Sequence, residues 1–361
     1  MSKVAIIGDM HFGVKGGNQD FLDFQIAWLE NALKKIQAMG VTKVIQTGDM
    51  FDVRQSMKLN VMDFIINRFP TMLIDHDINE WIVYGGNHDM FYRDSNEICS
   101  LDILKFAGMS GALDFRVVKD NVEYLQYGGK RLAFVPWLNK NNKECLLRDL
   151  LDESVTTDYV FGHFEMMGMP MIPGVVCENG TDPALFKKFK RVISGHFHTV
   201  SQSLNVTMVG TPYHITWGDV QDGNNRGFWT LDTETDELVL HKNDDHETLF
   251  SVIEYDPEEK YVEESFDAYK GTIAKILVKE KPEAKHYKKF IDLLTKAQMI
   301  DYKIIDTTLV EIEKVEISEE VLSLDTMSAM NAFIDKQGEE FNKESVKNLA
   351  KMVYLEVLNG Q

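Results

Sequence analysis

Five short apolar runs in the chain each end at a glycine that is followed by a side chain able to bind a metal. They read Val4-Ala5-Ile6-Ile7-Gly8-Asp9-Met10-His11, Val44-Ile45-Gln46-Thr47-Gly48-Asp49, Ile82-Val83-Tyr84-Gly85-Gly86-Asn87-His88-Asp89, Tyr159-Val160-Phe161-Gly162-His163 and Val192-Ile193-Ser194-Gly195-His196-Phe197-His198. A buried strand that stops at a tight glycine turn delivers its next side chains to the carboxyl edge of a sheet, where ligands of open α/β folds gather. Five such strands side by side would aim Asp9, Asp49, Asn87, His11, His163, His196 and His198 at one spot. That mixed oxygen and imidazole inventory suits two divalent cations. A lone Asp or His at a strand end more often caps a turn, but five of the ten histidines fall in these motifs, so the clustering is not chance. His76, His214, His241, His246 and His286 are expected to be ordinary surface or supporting residues, with His214 the one to check.

From residue 3 to about 241, strand-like runs alternate with helical patterns, which implies parallel pairing with right-handed crossovers. Residues 20–39 place Leu22, Ile26, Leu29, Leu33 and Ile36 at helical spacing and end at Gly40. A second helix is expected over residues 57–76. Two β-rich runs flank Gly128-Gly129 as a hairpin, and residues 227–231 and 237–241 read as another. The expected fold class is α/β, a two-sheet sandwich flanked by helices. Residues 242–270 carry ten acidic and three basic residues and read as a linker or boundary. Residues 271–320 read as a small β–α–β capping domain, with Pro282 opening a helix that puts Tyr287, Phe290, Ile291 and Leu294 on one face. Residues 323–361 read as a helical hairpin capped by Asp325 and Asn342, with apolar stripes Met327-Met330-Ile334 and Val346-Leu349-Val353.

Hydrophobic residues make up 44% of the chain, enough for a buried core, yet no run approaches the ~18 apolar residues of a membrane helix. Met1-Ser2-Lys3 runs straight into the first strand, which leaves no room for a signal peptide, so a cytoplasmic location is expected. Cys99, Cys145 and Cys177 are dispersed and odd in number, as reduced thiols would be. The net charge of −19 argues against unaided nucleic-acid binding, which draws on Lys and Arg.

The ordered set Asp9…His11, Gly48-Asp49…Asp52, Gly86-Asn87-His88-Asp89 and Gly195-His196-Phe197-His198 resembles the calcineurin-like metallophosphoesterase superfamily over about residues 3–241. The resemblance implies a phosphoesterase domain at 1–241 holding two divalent cations, with Mn²⁺ the expected metal. It implies Asp9, His11, Asp49 and His198 on one cation and Asp49, Asn87, His163 and His196 on the other, Asp49 bridging. It implies His88 as the proton donor to the leaving oxygen, a role suited to a reference pKa of ~6.5. Asp89 is expected to hold its loop through backbone hydrogen bonds.

Within the superfamily, Asp9-Met10-His11-Phe12-Gly13, Gly48-Asp49-Met50-Phe51-Asp52 and Arg226-Gly227-Phe228-Trp229 look most like SbcD-type DNA repair nucleases and their phage-encoded counterparts in recombination complexes. That likeness implies a DNA exonuclease or endonuclease. It also implies homodimerisation and a C-terminal helical pair that grips an ABC-type coiled-coil ATPase. Asp52 stands where many relatives have a histidine, with Arg54 close by as a candidate phosphate contact. The alternatives are a small-molecule or protein phosphatase of the same superfamily, marked by fast phosphomonoester hydrolysis, and a metal-bound scaffold without catalysis. An intact His88 and a complete ligand set count against the scaffold.

Overall fold

A computed structural model describes residues 2–107, 113–172, 174–243, 248–280, 283–306 and 326–335, with 343, 344, 346, 347 and 350. The chain forms two compact units, Met1–Ile215 with Asp222–Glu247, and Thr216–Gln221 with Thr248–Gln361.

The first unit contains two six-stranded sheets. One is built from β1 (Lys3–Ile7), β2 (Lys43–Gln46), β3 (Glu80–Tyr84) and β4 (Asp114–Val118), all parallel, with β13 (Gly227–Asp232) and β14 (Glu237–Lys242) added antiparallel beside β1. The other contains β5 (Glu123–Tyr127), β6 (Lys130–Val135), β7 (Tyr159–His163), β10 (Arg191–Gly195), β11 (Ser201–Ser203) and β12 (Val206–Met208) in the order β11-β12-β10-β7-β6-β5. β8 (Pro170–Ile172) and β9 (Val175–Val176) pair as a separate ribbon.

Alternation within the strands explains why the sheets stack. In β6, Leu132 and Phe134 join Val4, Ile6, Ile45, Ile82, Tyr159 and Phe161 in a core shared by both sheets. Ala133 and Val135 face the other way, into a second core with Leu146 and Leu150 of the helix Lys143–Leu151. Phe134 and Phe161 stack at 5.3 Å in the shared core. Each such ring, fully buried, contributes about 1.5–3 kcal/mol.

The long helix runs Gln19–Ala38, started by Asn18, whose side chain accepts from the Phe21 N–H. The second expected helix is a continuous run of Leu59–Asp63, a π turn at Phe64–Arg68, and Phe69–Asp75. The five motif strands are not side by side in one sheet as the sequence suggested. β1, β2 and β3 lie in one sheet and β7 and β10 in the other, because inward-facing apolar residues on both sets need a common partner face.

The second unit holds a three-stranded parallel sheet of β15 (Phe250–Glu254), β16 (Ile273–Val278) and β17 (Asp301–Asp306). The helix Ala284–Leu294 supplies Phe290 and Leu294 to a core with Ala274, Ile276 and Val278. This corrects the reading of 242–270 as linker. β15 and the turn of helix Glu263–Tyr269 are built into this unit, their Phe250, Ile253, Tyr255 and Phe266 buried while the acids face outward. A run of acids marks a solvated face, not missing structure. The helix Thr326–Asp335 is the described part of the expected hairpin; Pro282, Asp325, Asn342, His246 and most of 336–361 lie outside the described residues. No helix among the described residues is long and apolar enough to cross a membrane.

Candidate metal centre

At the carboxyl ends of β1, β2, β3, β7 and β10 the two sheets pinch together through glycine. A Cβ on Gly195 would lie 2.3 Å from Asp9 Oδ1 and 2.5 Å from the Thr47 carbonyl oxygen. Gly48, at φ +88, would put one 2.7 Å from His163 Nδ1. Only without those carbons do the ends of β2 and β10 approach closely enough for their side chains to share a site.

Two groups of donors result. Asp9, His11 and Asp49 have ligand atoms within 4.8 Å of one another, as do Asp49, His163 and His196. Asp49 belongs to both. His198 joins the first group, its Nε2 3.2 Å from His11 Nε2. Asn87 joins the second: its Oδ1 lies 2.8 Å from His196 Nδ1 and 3.1 Å from His163 Nε2.

These contacts test whether cations fit. Two imidazole nitrogens at 3.2 Å need either a proton or a cation between them. The Asn87 amide is more telling. Its inner end faces Asp49 Oδ2 at 3.3 Å as well as the two imidazoles, and its outer end lies 3.1 Å from Arg54 Nη2. Turned with nitrogen inward, the amide offers two hydrogens to three acceptors. Turned with oxygen inward, it presents one more lone pair to a point where a cation would satisfy all four atoms. The donor set fits a metal pair.

The backbone and its neighbours fix each donor. His163 Nδ1 is 2.8 Å from the Thr47 carbonyl, which leaves Nε2 facing Asp49 Oδ2 at 3.2 Å. His11 places Nδ1 3.4 Å from Asp52 Oδ1, and His196 places Nε2 3.6 Å from Glu165 Oε1. Outer partners of this kind set the tautomer and aim of a metal-binding histidine. Asp9 accepts from Thr47 Oγ1 at 2.9 Å and from the His196 N–H at 2.7 Å. Asp49 Oδ1 accepts from the His88 N–H at 2.7 Å.

Burial opposes charge throughout the site, and the neighbours decide the outcome. Burial lowers His163, but the Asp49 and Asp9 carboxylates carry it up to about 9. Burial likewise opposes His11, which Asp52 and Asp49 raise to about 9. Burial would raise Asp49, yet His163 and His88 hold it well below the usual carboxylate range. Burial pushes Asp9 up.

His88 sits beside these groups, its ring 4.9 Å from that of His11 and perpendicular to it. Its Nδ1 is 2.5 Å from the Asp52 carbonyl oxygen, so an Nδ1–H donates there and Nε2 is the remaining ring nitrogen. Burial pushes its pKa down to about 4. Asp89 faces away, accepting from the Gly86 and Phe51 N–H groups at 2.9 and 3.2 Å, as a loop-holding residue should. Burial, then the Asp49 charge, raise Asp89 to about 7.

The sequence missed the supports. Gln25 Nε2 lies 2.8 Å from the Met10 carbonyl, 3.1 Å from that of His11 and 2.9 Å from Tyr213 Oη. Gln25 interrupts the apolar stripe of its helix, a signal that was available. Tyr213, not His214, reaches this loop; His214 Nε2 is 3.2 Å from the Gly223 carbonyl. Arg226 is buried, donating to Thr211 Oγ1 at 2.7 Å, to Asp222 at 3.0 Å and to the His198 carbonyl.

A profile of the calcineurin-like phosphoesterases matches residues 2–200. Exonuclease subunit 1 of Enterobacteria phage T4 is 32% identical over 243 residues, spanning 67% of this chain and 68% of that protein. Among solved structures, a novel archaeal phosphodiesterase aligns at 14% identity over 67% of this chain and 99% of its own, with a TM-score of 0.34. A dimetal phosphatase from Danio rerio aligns at 12% identity over 66% and 95%, with a TM-score of 0.41. Both scores are low, and the assignment rests on the profile and the phage relative.

Proposed function

Because the chain belongs to the calcineurin-like phosphoesterase family, we propose that it is a two-metal-dependent DNA nuclease, with Mn²⁺ as the metal. The observation that carries the metal-pair reading is Asp49, common to both donor groups. The phage relative, an exonuclease subunit by name, favours DNA over other phosphoesters. In this reading Asp9, His11, Asp49 and His198 hold one cation and Asp49, Asn87, His163 and His196 the other. When bound, the pair neutralises the phosphoryl charge and activates the attacking water. His88 donates a proton to the leaving oxygen from Nε2, its ring oriented by the Asp52 carbonyl. Arg54, beside Asn87, contacts the substrate phosphate.

The partner reading is an ABC-type coiled-coil ATPase bound by the helices of 323–361, with a homodimer of the nuclease in the host cytoplasm. The relative's designation as a subunit supports it. Partner and metals together offset the charge of −19 in bringing the site to DNA. The test is hydrolysis of linear duplex and single-stranded DNA, and of a phosphomonoester, by the full chain with Mn²⁺ and with chelator. Chelator-sensitive DNA cleavage is expected. Phosphomonoester turnover far above DNA cleavage would select the phosphatase reading instead, and two bound metals without any hydrolysis would select the scaffold.

A further inference from the structure

The loop after His88 leaves two aromatic rings in solvent. Phe91 is 38% and Tyr92 43% exposed, and their rings pack edge to face at 4.8 Å. The loop itself is firmly held. Met90 bridges Cys99, and the Phe91 N–H donates to the Ile98 carbonyl at 3.0 Å. Asn96 Nδ2 donates to the Lys119 and Trp137 carbonyls at 2.8 and 3.1 Å, and Asn141 Nδ2 to the Asp94 carbonyl at 2.8 Å. Buried Met90, not either ring, fills the space over Gly85. The two rings are therefore presented by a fixed scaffold that does not use their side chains. Arg93 follows them, exposed and close enough to Arg54 for the two charges to repel. In a chain of charge −19, paired cations beside exposed aromatics are a local exception that suits an anion carrying planar groups.

We propose that Phe91 and Tyr92 form a stacking platform for unpaired bases of a DNA strand, with Arg93 and Arg54 on its phosphates; this rests on the nuclease reading above. Every base has a π face, so stacking tolerates any sequence, whereas a paired base inside a duplex cannot be reached. The platform therefore favours single strands and frayed ends over blunt duplex.

The test measures binding of the full chain to fluorescent single-stranded and blunt duplex oligonucleotides at low salt, with metal content and unfolding midpoint recorded for each variant. The wild type should prefer the single strand. Phe91→Ala with Tyr92→Ala should weaken the single strand about tenfold and the duplex little. Tyr92→Phe, which keeps the ring, should retain the preference in either single-variant background. Arg93→Gln should weaken both forms alike. A wild type with no preference for single strands, or a double alanine variant with wild-type affinity and metal content, overturns the platform. Chelator-sensitive DNA cleavage by the same wild-type preparation reports separately on the nuclease reading.

Discussion

His11, Asp49 and His196 adopt φ values of 47°, 47° and 87°. A non-glycine residue in that region costs on the order of 1–3 kcal/mol and persists only where its surroundings over-determine it. For His11 those surroundings are Gln25 and Tyr213, which clamp the Met10 and His11 carbonyls. Gln25→Leu should strip buried carbonyls of their donor and destabilise the chain by about 1–3 kcal/mol, read as a lower denaturant midpoint. An unchanged midpoint would show that Tyr213 holds the loop alone. His88 poses a different question. Burial favours its neutral form, the opposite of what a proton donor needs, and an anionic phosphodiester in the site supplies the compensating charge. His88→Ala should lower DNA cleavage by ~10²–10⁴ and keep the metal content. Metal loss in this variant would make His88 a ligand. The donors themselves were legible because each follows a glycine at a strand end. Thr47, Asp52 and Glu165 were not, since two of them act through backbone carbonyls and the third meets His196 only after β7 and β10 pair.

At the scale of elements, strands and hairpins followed from alternation and glycine turns, and the helix Gln19–Ala38 from its apolar stripe. The partition of the motif strands between two sheets did not, because periodicity reports which face is buried but not against what. The same limit hid β15, whose acids outnumber its apolar residues in a composition count while the buried face still alternates. The pinch between the sheets depends on Gly195. Gly195→Ala would drive a methyl into the Thr47 carbonyl and the Asp9 carboxylate. Overpacking of this kind costs about 1–3 kcal/mol, and here it should also lower Mn²⁺ stoichiometry, measured by elemental analysis after gel filtration. A variant with full metal content would mean that the ends of β2 and β10 can separate without loss of the centre.

At the scale of the molecule, every proposed ligand lies in the first unit, which has its own cores. A chain of residues 1–247 should therefore unfold cooperatively and bind as much metal as the full chain; an unfolded product would make the second unit part of the same cooperative fold. Belonging to the family was legible from the order of five motifs, whereas most of 323–361, where the partner is proposed to bind, lies outside the described residues. The most direct measurement is anomalous diffraction at the manganese edge from crystals of the full chain grown with Mn²⁺. The expected map holds two peaks about 3.5–4 Å apart, with the Asp49 carboxylate touching both, His11 and His198 on one and His163, His196 and Asn87 on the other. A single peak, or two peaks of which Asp49 touches only one, would contradict a metal pair shared across the two sheets.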